Sequence, residues 1–349
     1  MDLSPFGITS RRTAVVLLGA GATAGSTLAH PGPLGRPFVD RDFFHHLAML
    51  AAISEDRDFR KDVAELRTFL SGQYGHGVAG LEEIYADLDL ARKFVAETKS
   101  GLRGRQLESF ARNVDALKRM IVLVLRAEIP QSQYQFPRSY ELDVLAMRMH
   151  SGDSVVSFNY DCLIDRSLQR VAGKKWKPDS AYGFPPAFGA ESWAIPPSAG
   201  SFAKFGVQLL KPHGSLNWIR RPDGSLGLSA DEFSPDASEV QIVPPSMSKD
   251  FESEPFGDVW MKTRIALRGA RALMVIGYSL PQADSYTKSA LRLECQSLDL
   301  LVLVNPDESA NERLVEAVKS ALTPKTRVVR LKSLGELVAT FQRVPFRAG

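Results

Sequence analysis

Several short runs in this chain are rich in Val, Leu and Ile, without the regular alternation of an exposed strand. They are Ala14–Leu18, "SVVSF" at 154–158, "VQLL" at 207–210, "QIV" at 241–243, "ALMVIG" at 272–277, "LLVLV" at 300–304 and "RVVRL" at 327–331. An alternating strand wets one face, but an unbroken run has no face to wet. Such strands are buried on both sides, as in a parallel sheet held between two layers of helices. Helical patterns near 258–269, 284–294 and 308–321 separate the later runs, supplying the crossovers that parallel pairing needs. The pattern predicts an α/β fold, a doubly wound Rossmann-like parallel sheet.

One long stretch interrupts it. Residues 38–150 read as almost wholly helical, with Leu107, Phe110, Val114, Leu117, Ile121 and Leu125 forming one stripe at steps of three and four. Val63, Leu66 and Leu70 repeat the spacing, as do Phe43, Leu47 and Leu50, and "SGQYGHGVAG" and "SGLRGR" read as breaks between helices. Residues 1–37 and 151–349 are therefore expected to form the α/β domain, with 38–150 inserted as a helical lobe. "HPGPLGRPF", with three prolines and two glycines, forbids regular structure where the lobe begins.

Composition narrows the partners. The chain has 349 residues, 44% of them hydrophobic and 24% charged, within the range of globular proteins. Its 43 basic and 40 acidic residues leave a formal charge of +3, too small an excess to argue for direct nucleic-acid binding. The basic clusters Arg103, Arg105 and Arg112, and Lys174, Lys175 and Lys177, read as solvated surface. No apolar run approaches the roughly 20 residues that span a bilayer, so no membrane association is expected. With only Cys162 and Cys295, a four-cysteine zinc site within one chain is ruled out by count. Sparse cysteine fits a reducing compartment, and a cytoplasmic location is expected.

Residues 10–29, "SRRTAVVLLGAGATAGSTLA", admit two readings. Paired arginines, an apolar run and small residues at the end resemble a twin-arginine export signal. The same letters form a buried strand entering Gly19-Ala20-Gly21 and a helix start, as a dinucleotide site begins. The apolar run is very short for a signal and is broken at once by glycine. The strand, moreover, completes the sheet, so the segment is expected to be retained.

In a parallel sheet, ligands bind beyond the carboxyl ends of the strands, and here each later strand ends in polar residues. After the first come Gly19, Ala20, Gly21 and Thr23, small enough to let backbone approach a pyrophosphate beside the unpaired N–H groups of a helix start. After the second come Asn159 and Asp161, which could equally cap the next helix. Lys211-Pro212-His213-Gly214-Ser215 follows "VQLL", and Gly277-Tyr278-Ser279-Leu280-Pro281-Gln282-Ala283-Asp284 closes the next strand, with Gly277 and Ser279 able to meet a phosphate or ribose. Asn305-Pro306-Asp307 ends "LLVLV", where ribose hydroxyls could be bonded.

Taken together, GAG, FNYD, KPHGS, GYSLPQAD and VNPD in this order resemble the Sir2 (sirtuin) family, and more closely its bacterial SIR2-like branch. The resemblance covers residues 13–25 and 151 to about 310 and leaves the helical insertion without a motif. It implies that Gly19, Ala20, Gly21 and Thr23 form the pyrophosphate loop. Asn159 and Asp161 would hold the nicotinamide ribose and carboxamide, and His213 would be the catalytic histidine. Gly277 and Ser279 would make a second phosphate contact, and Asn305 would meet the adenosine ribose. Two departures stand out. The sirtuin segment Gly-Ile-Pro-Asp-Phe-Arg is replaced by "STLAHPGPLGRPF", and the four-cysteine zinc module after the histidine is replaced by "LNWIRRPDGSLGL", a hairpin pattern around Asp223-Gly224.

Those departures count against acyl-lysine binding and leave hydrolysis of NAD⁺ itself as the expected activity, with NAD as substrate and no zinc. Asn159 would orient the ribose or the water, and His213 would accept a proton, imidazole having an ordinary pKa of about 6.5. The alternatives are an NAD or ADP-ribose sensor without turnover, and an NAD-dependent deacylase. The resemblance also implies a setting in antiviral (anti-phage) defence. There the enzyme would be restrained until triggered, as a homo-oligomer, with a defence partner protein, or both.

Overall fold

Ala14–Leu18 (β1) takes the middle of a parallel sheet, and all five of its residues are buried. The structure, a computed structural model, describes residues 1–8, 11–28, 42–74, 80–81, 83–88, 90, 105–129, 137–173, 176, 181–189, 206–243, 255–282 and 284–343. The strands that follow β1 are β2 (Ser154–Ser157), β3 (Gln208–Leu210), β4 (Gly214–Arg220), β5 (Leu226–Leu228), β6 (Val240–Ile242), β7 (Ala272–Ile276), β8 (Leu300–Val304) and β9 (Arg327–Leu331). Six of them form the main sheet in the order β3-β2-β1-β7-β8-β9, every pair parallel.

The chain steps outward from β1 through β2 and β3, then returns beside β1 and steps the other way. The winding reverses between β1 and β7, and the crevice above such a reversal is where open α/β sheets bind ligands. β1 and β7 pair in register from Ala14↔Ala272 to Leu18↔Ile276, so Gly19 and Gly277 leave the sheet side by side. A chain cut after Ala29 would lose the strand on which β2 and β7 both pair. Each buried Val or Leu of that strand contributes about 1.5–3 kcal/mol.

Two strands differ from expectation. "QIV" was expected in the main sheet, but β6 pairs antiparallel with β4 in a separate three-stranded sheet, order β5-β4-β6. A parallel partner would need a crossover of a dozen or more residues, usually helical, and the chain between β5 and β6 contains no helix. The β4–β5 hairpin offers an edge at once. Its turn closes through Gly224 N–H to Arg221 O and Arg221 N–H to Ser225 O, 2.9 Å each, as the Asp223-Gly224 pair predicts. β9, the sheet's edge, is largely exposed rather than buried, and its Arg327 and Arg330 guard the open side.

The helices are α1 (Ala20–Ala24), α2 (Phe43–Ile53), α3 (Arg57–Tyr74), α4 (Arg105–Glu128), α5 (Tyr140–Met147), α6 (Leu163–Ala172), α7 (Phe256–Gly269), α8 (Ser285–Glu294), α9 (Glu308–Val318) and α10 (Leu334–Gln342). The apolar stripes of α2, α3 and α4 meet in a core of their own, where Phe43, Leu47, Val63, Leu66, Leu70, Val114, Leu117, Ile121 and Leu125 are all buried. α3 runs straight through Ser71-Gly72, which read as a break. One glycine costs a helix only about 1 kcal/mol, less than the buried stripe returns. The lobe's core also takes in Leu216, Val240 and Ile242, with Tyr160 packed against it. Conversely, Ile129, Leu142, Val144, Leu145, Ala146 and Met149 bury their side chains with the main sheet, so packing divides the chain nearer residue 129 than residue 150. The side chains of Leu107 and Phe110, the segment "HPGPLGRPF", residues 75–79 and 101–104, and Lys174, Lys175 and Lys177 lie outside the described residues. Among the described residues, no helix is long and apolar enough to cross a membrane.

Candidate functional site

The turns after β1 and β7 pack backbone against backbone. Gly19 N–H donates to Ile276 O at 3.0 Å, and Gly21 N–H to Gly277 O at 2.9 Å. Gly277 has φ +60°, and a Cβ there would lie 2.1 Å from Ala22 N and 2.2 Å from Gly21 C. The glycines are thus required by the meeting of two turns, before any ligand is considered. The expectation of a helix start with free N–H groups is also corrected. α1 is a single turn, and the N–H groups of Gly21 and Ala22 are already bonded to Gly277 O and Gly19 O. Ala20 stands exposed at the rim of this turn.

Beyond β2 the expected pair is joined to α1. Thr23 Oγ1 donates to Asp161 Oδ2 at 2.6 Å and accepts from Asn159 Nδ2 at 2.9 Å. The other oxygen of Asp161 accepts the Leu163 N–H at 3.0 Å, which opens α6. Burial raises the Asp161 carboxyl above the usual carboxylate range, with the Lys211 ammonium opposing. Both of its oxygens are held by protein donors. Asp161 therefore braces Thr23, and through it Asn159, where the resemblance would have it facing a carboxamide. Asn159, half-buried, is the member of the group nearest solvent.

His213 arrives from β3 through a tight turn. Gly214 N–H donates to Lys211 O at 2.9 Å, and Gly214 has φ +83°, with Gln241 O only 2.1 Å from where a Cβ would stand. The imidazole is buried and lies 5.0 Å from the Phe158 ring, centroid to centroid. Phe158 stacks at 4.6 Å on Tyr278, so one aromatic ring joins the ends of β2, β3 and β7. His213 Nε2 lies 3.9 Å from Asp284 Oδ2. That carboxylate is fixed by the Tyr278 hydroxyl and by Thr287 Oγ1 at 2.7 Å, and its other oxygen caps α8. A carboxylate so placed favours one orientation of the ring.

The remaining expected contacts lie across the reversal point. Ser279 is exposed, and its carbonyl is clamped by Arg313 Nε and Nη2 at 3.1 and 3.0 Å. Leu280, next in line, has φ +49°, the one described non-glycine residue at positive φ, just before Pro281. Such strain persists only where its surroundings impose it. Asn305 uses its side chain on the protein, donating to Tyr278 O at 3.3 Å and accepting from Asp307 N–H at 3.0 Å.

Thr23, Asn159, Asp161 and His213 therefore cluster at the ends of β1, β2 and β3, while Ser279 and Asn305 stand toward β8. Sequence reasoning missed Phe158, Tyr278, Asp284 and Lys211 as members of the site. All four lie within motifs already singled out, so their positions were visible, but their pairings are long-range. Among the described residues no group of three or more His, Cys, Asp and Glu side chains is arranged to hold a metal ion.

No protein-family model matches the sequence, and no curated protein matches it. Solved structures of Sir2 proteins do. A structure on the mechanism and regulation of Sir2 enzymes is 14% identical, with TM-score 0.40, over 95% of this chain and 92% of that one. A Sir2 homologue mutant in complex with ADP-ribose is 13% identical, with TM-score 0.43, over 99% of this chain and 100% of that one. A Sir2 mutant with a p53 peptide and NAD is 13% identical, with TM-score 0.37, over 98% of both chains. At such identities function has to be argued from this chain's own site.

Proposed function

We propose that this chain is an NAD⁺ glycohydrolase, releasing nicotinamide and ADP-ribose. The observation that carries the reading is the hydrogen-bonded group Thr23–Asn159–Asp161 at the ends of β1 and β2, with His213 at the end of β3 packed on Phe158, beside the winding reversal of a Rossmann-like sheet. The order of strand-end motifs, which resembles the Sir2 family, supports it. The dinucleotide would lie across the reversal, its pyrophosphate near Gly19, Ala20 and Gly21 and its adenosine half toward Gly277, Ser279 and Asn305.

In this reaction the bond between C1′ of the ribose and the nicotinamide nitrogen breaks. Its electron pair neutralises the ring nitrogen, leaving an oxocarbenium-like ribose. A water oxygen bonds C1′, and the proton it loses passes to His213 and then to solvent. Asn159, with Nδ2 anchored on Thr23, presents its Oδ1 as an acceptor that orients the water or a ribose hydroxyl. Asp161 keeps Thr23, and so Asn159, in place. The Phe158 and Tyr278 rings form an apolar wall that limits water to the attacking molecule. An unrestrained enzyme of this kind would drain a cell of NAD. We therefore place it in a defence system of the anti-phage type, cytoplasmic, held inactive by self-assembly or a partner until triggered.

The test is nicotinamide release by the purified chain, with and without candidate activators. Asn159→Ala and His213→Ala should each lower the rate by roughly a hundredfold to ten-thousandfold while leaving the unfolding midpoint close to wild type. An acetyl-lysine peptide should not accelerate turnover. Binding of NAD⁺ without cleavage by the activated wild type would favour the sensor reading, and wild-type rates in either variant would refute the roles assigned here.

A further inference from the structure

Beneath the site lies a ring of buried polar groups that the hydrolytic scheme does not use. Lys211, Asp165, Ser215, Asn217 and Tyr182 are wholly shielded from solvent. Lys211 Nζ donates to Asp161 O at 2.6 Å, to Ser215 Oγ at 2.7 Å and to Asp165 Oδ2 at 3.3 Å. Ser215 Oγ donates to Asn217 Oδ1 at 2.6 Å, Asn217 Nδ2 to the Tyr182 hydroxyl at 3.2 Å, and that hydroxyl to the second oxygen of Asp165. The donors and acceptors close into a circuit. Burial favours the neutral amine, but Asp165 outweighs it and holds the ammonium above the ordinary lysine range. Burial also pushes the Tyr182 phenol well up, so it stays a donor.

The location gives the circuit its meaning. Lys211 closes β3 two residues before His213, whereas the carbonyl it holds belongs to Asp161, in the turn that presents Asn159. A hydrophobic side chain of similar length would fill the space but leave that carbonyl and Asp165 Oδ2 without a donor. We infer that Lys211 is a positioning residue, a buried ammonium that fastens the turn carrying Asn159 and Asp161 to the turn carrying His213. This rests on the hydrolase reading for its consequence in turnover, though not for the fastening itself. A misplacement of about 1 Å between such turns lowers the rate by roughly a hundredfold.

The test uses the full chain with Lys211→Met and Asp165→Asn combined, so that the Asp165 carboxylate is not left unpaired. The fastening is read by amide exchange at Leu163, Gly214 and Leu216, whose N–H groups bond Asp161 Oδ1, Lys211 O and Tyr160 O. Exchange there should quicken at least about tenfold while Leu301 to Leu303 in β8 stay protected. Turnover should fall about a hundredfold in kcat, with KM within a few-fold. Arg148→Met with Asp2→Asn removes a buried ion pair beside the start of β1 and β2, at the opposite ends of the strands from both turns, and should keep its kcat. Unchanged exchange at the three amides overturns the inference, as does an equal loss of kcat in the Arg148–Asp2 control. If the double variant does not fold, Lys211→Arg, which keeps the charge but not the compact three-donor ammonium, decides by the same exchange. A wild type that never releases nicotinamide refutes the hydrolase reading alone, because the exchange result still judges the fastening.

Discussion

Replacing Gly277 by alanine separates two reasons for a glycine at a nucleotide-type turn. If the residue is glycine only so that a phosphate can approach, alanine would spare stability and harm binding. The structure gives a different expectation. A Cβ at 277 would stand 2.1 Å from Ala22 N and 2.2 Å from Gly21 C, where van der Waals contact needs about 3.5 Å. The two turns would have to part by about 1 Å, which breaks the 2.9 Å bond from Gly21 N–H to Gly277 O. Positive φ costs an alanine about 1–2 kcal/mol, the lost buried hydrogen bond about 1, and the overpacking about 1–3. The sum is roughly 3–6 kcal/mol, a large share of the roughly 5–15 kcal/mol that holds a domain. Urea unfolding of Gly277→Ala and Gly152→Ala is the measurement. Gly152 has φ +94° with nothing within 4 Å of its Cβ position, so it carries the backbone penalty without the crowding. Equal losses of stability in the two variants would refute the packing argument.

Two further outcomes follow from the same geometry. Asp284→Asn keeps a hydrogen-bonding side chain near His213 but removes its charge. Nicotinamide release should drop roughly tenfold to a hundredfold in kcat with KM little changed, and an unaltered kcat would remove Asp284 from the site. Burial, with Glu294 beside it, pushes the Cys295 thiol up to about 12, and burial pushes Cys162 well above its ordinary value. Neither thiol should react with an aromatic disulfide reagent at about pH 8 in the folded chain, while both should react in urea. A thiol whose folded value lies above its unfolded one contributes stability that is complete below the unfolded value. That contribution is lost as pH rises through the folded value, so unfolding midpoints should decline between about pH 9 and 12. Rapid native labelling of two thiols per chain would contradict this.

The sheet was legible because burial on both faces leaves a local mark. β1, β7 and β8 are unbroken apolar runs, and no other environment suits them. The strand-end placement of Asn159, Asp161 and His213 was legible for a related reason, since polar residues in such a fold gather where strands end. What could not be read was pairing. "QIV" looks like any buried strand, and only the nearby hairpin edge and the missing crossover send it to the smaller sheet. Ser71-Gly72 looks like a break until Val63, Leu66 and Leu70 are seen to be buried together. Lys211 reads as a charge beside a proline, because its partners at 161, 165 and 215 are set by the packing of β2 against β3 and by the turn at Gly214. The glycines of the first turn were read as space for a ligand, and the structure fills that space with the turn after β7.

The helical lobe shares a residue with the turn that carries Asn159. Tyr160 lies between Asn159 and Asp161, yet its side chain packs against the lobe's core, and its hydroxyl donates to Val243 O at 3.0 Å. Its carbonyl accepts the N–H of Leu216 at 2.9 Å, and Leu216 is itself buried in that core. One residue of the site's turn is thus part of the packing that holds α2, α3 and α4 together. A packed core responds to displacement as a unit rather than by yielding locally. An effector or second subunit that prefers one arrangement of these helices therefore has a direct mechanical connection to Asn159. What such an effector could shift is bounded by its own difference in affinity for the two arrangements. Near-silent to active control, from 1:99 to 99:1, needs about 5.5 kcal/mol, more than one or two surface contacts supply. If the proposed hydrolase is restrained through the lobe, that restraint needs an extensive contact there, of the size that self-assembly or a dedicated partner would provide.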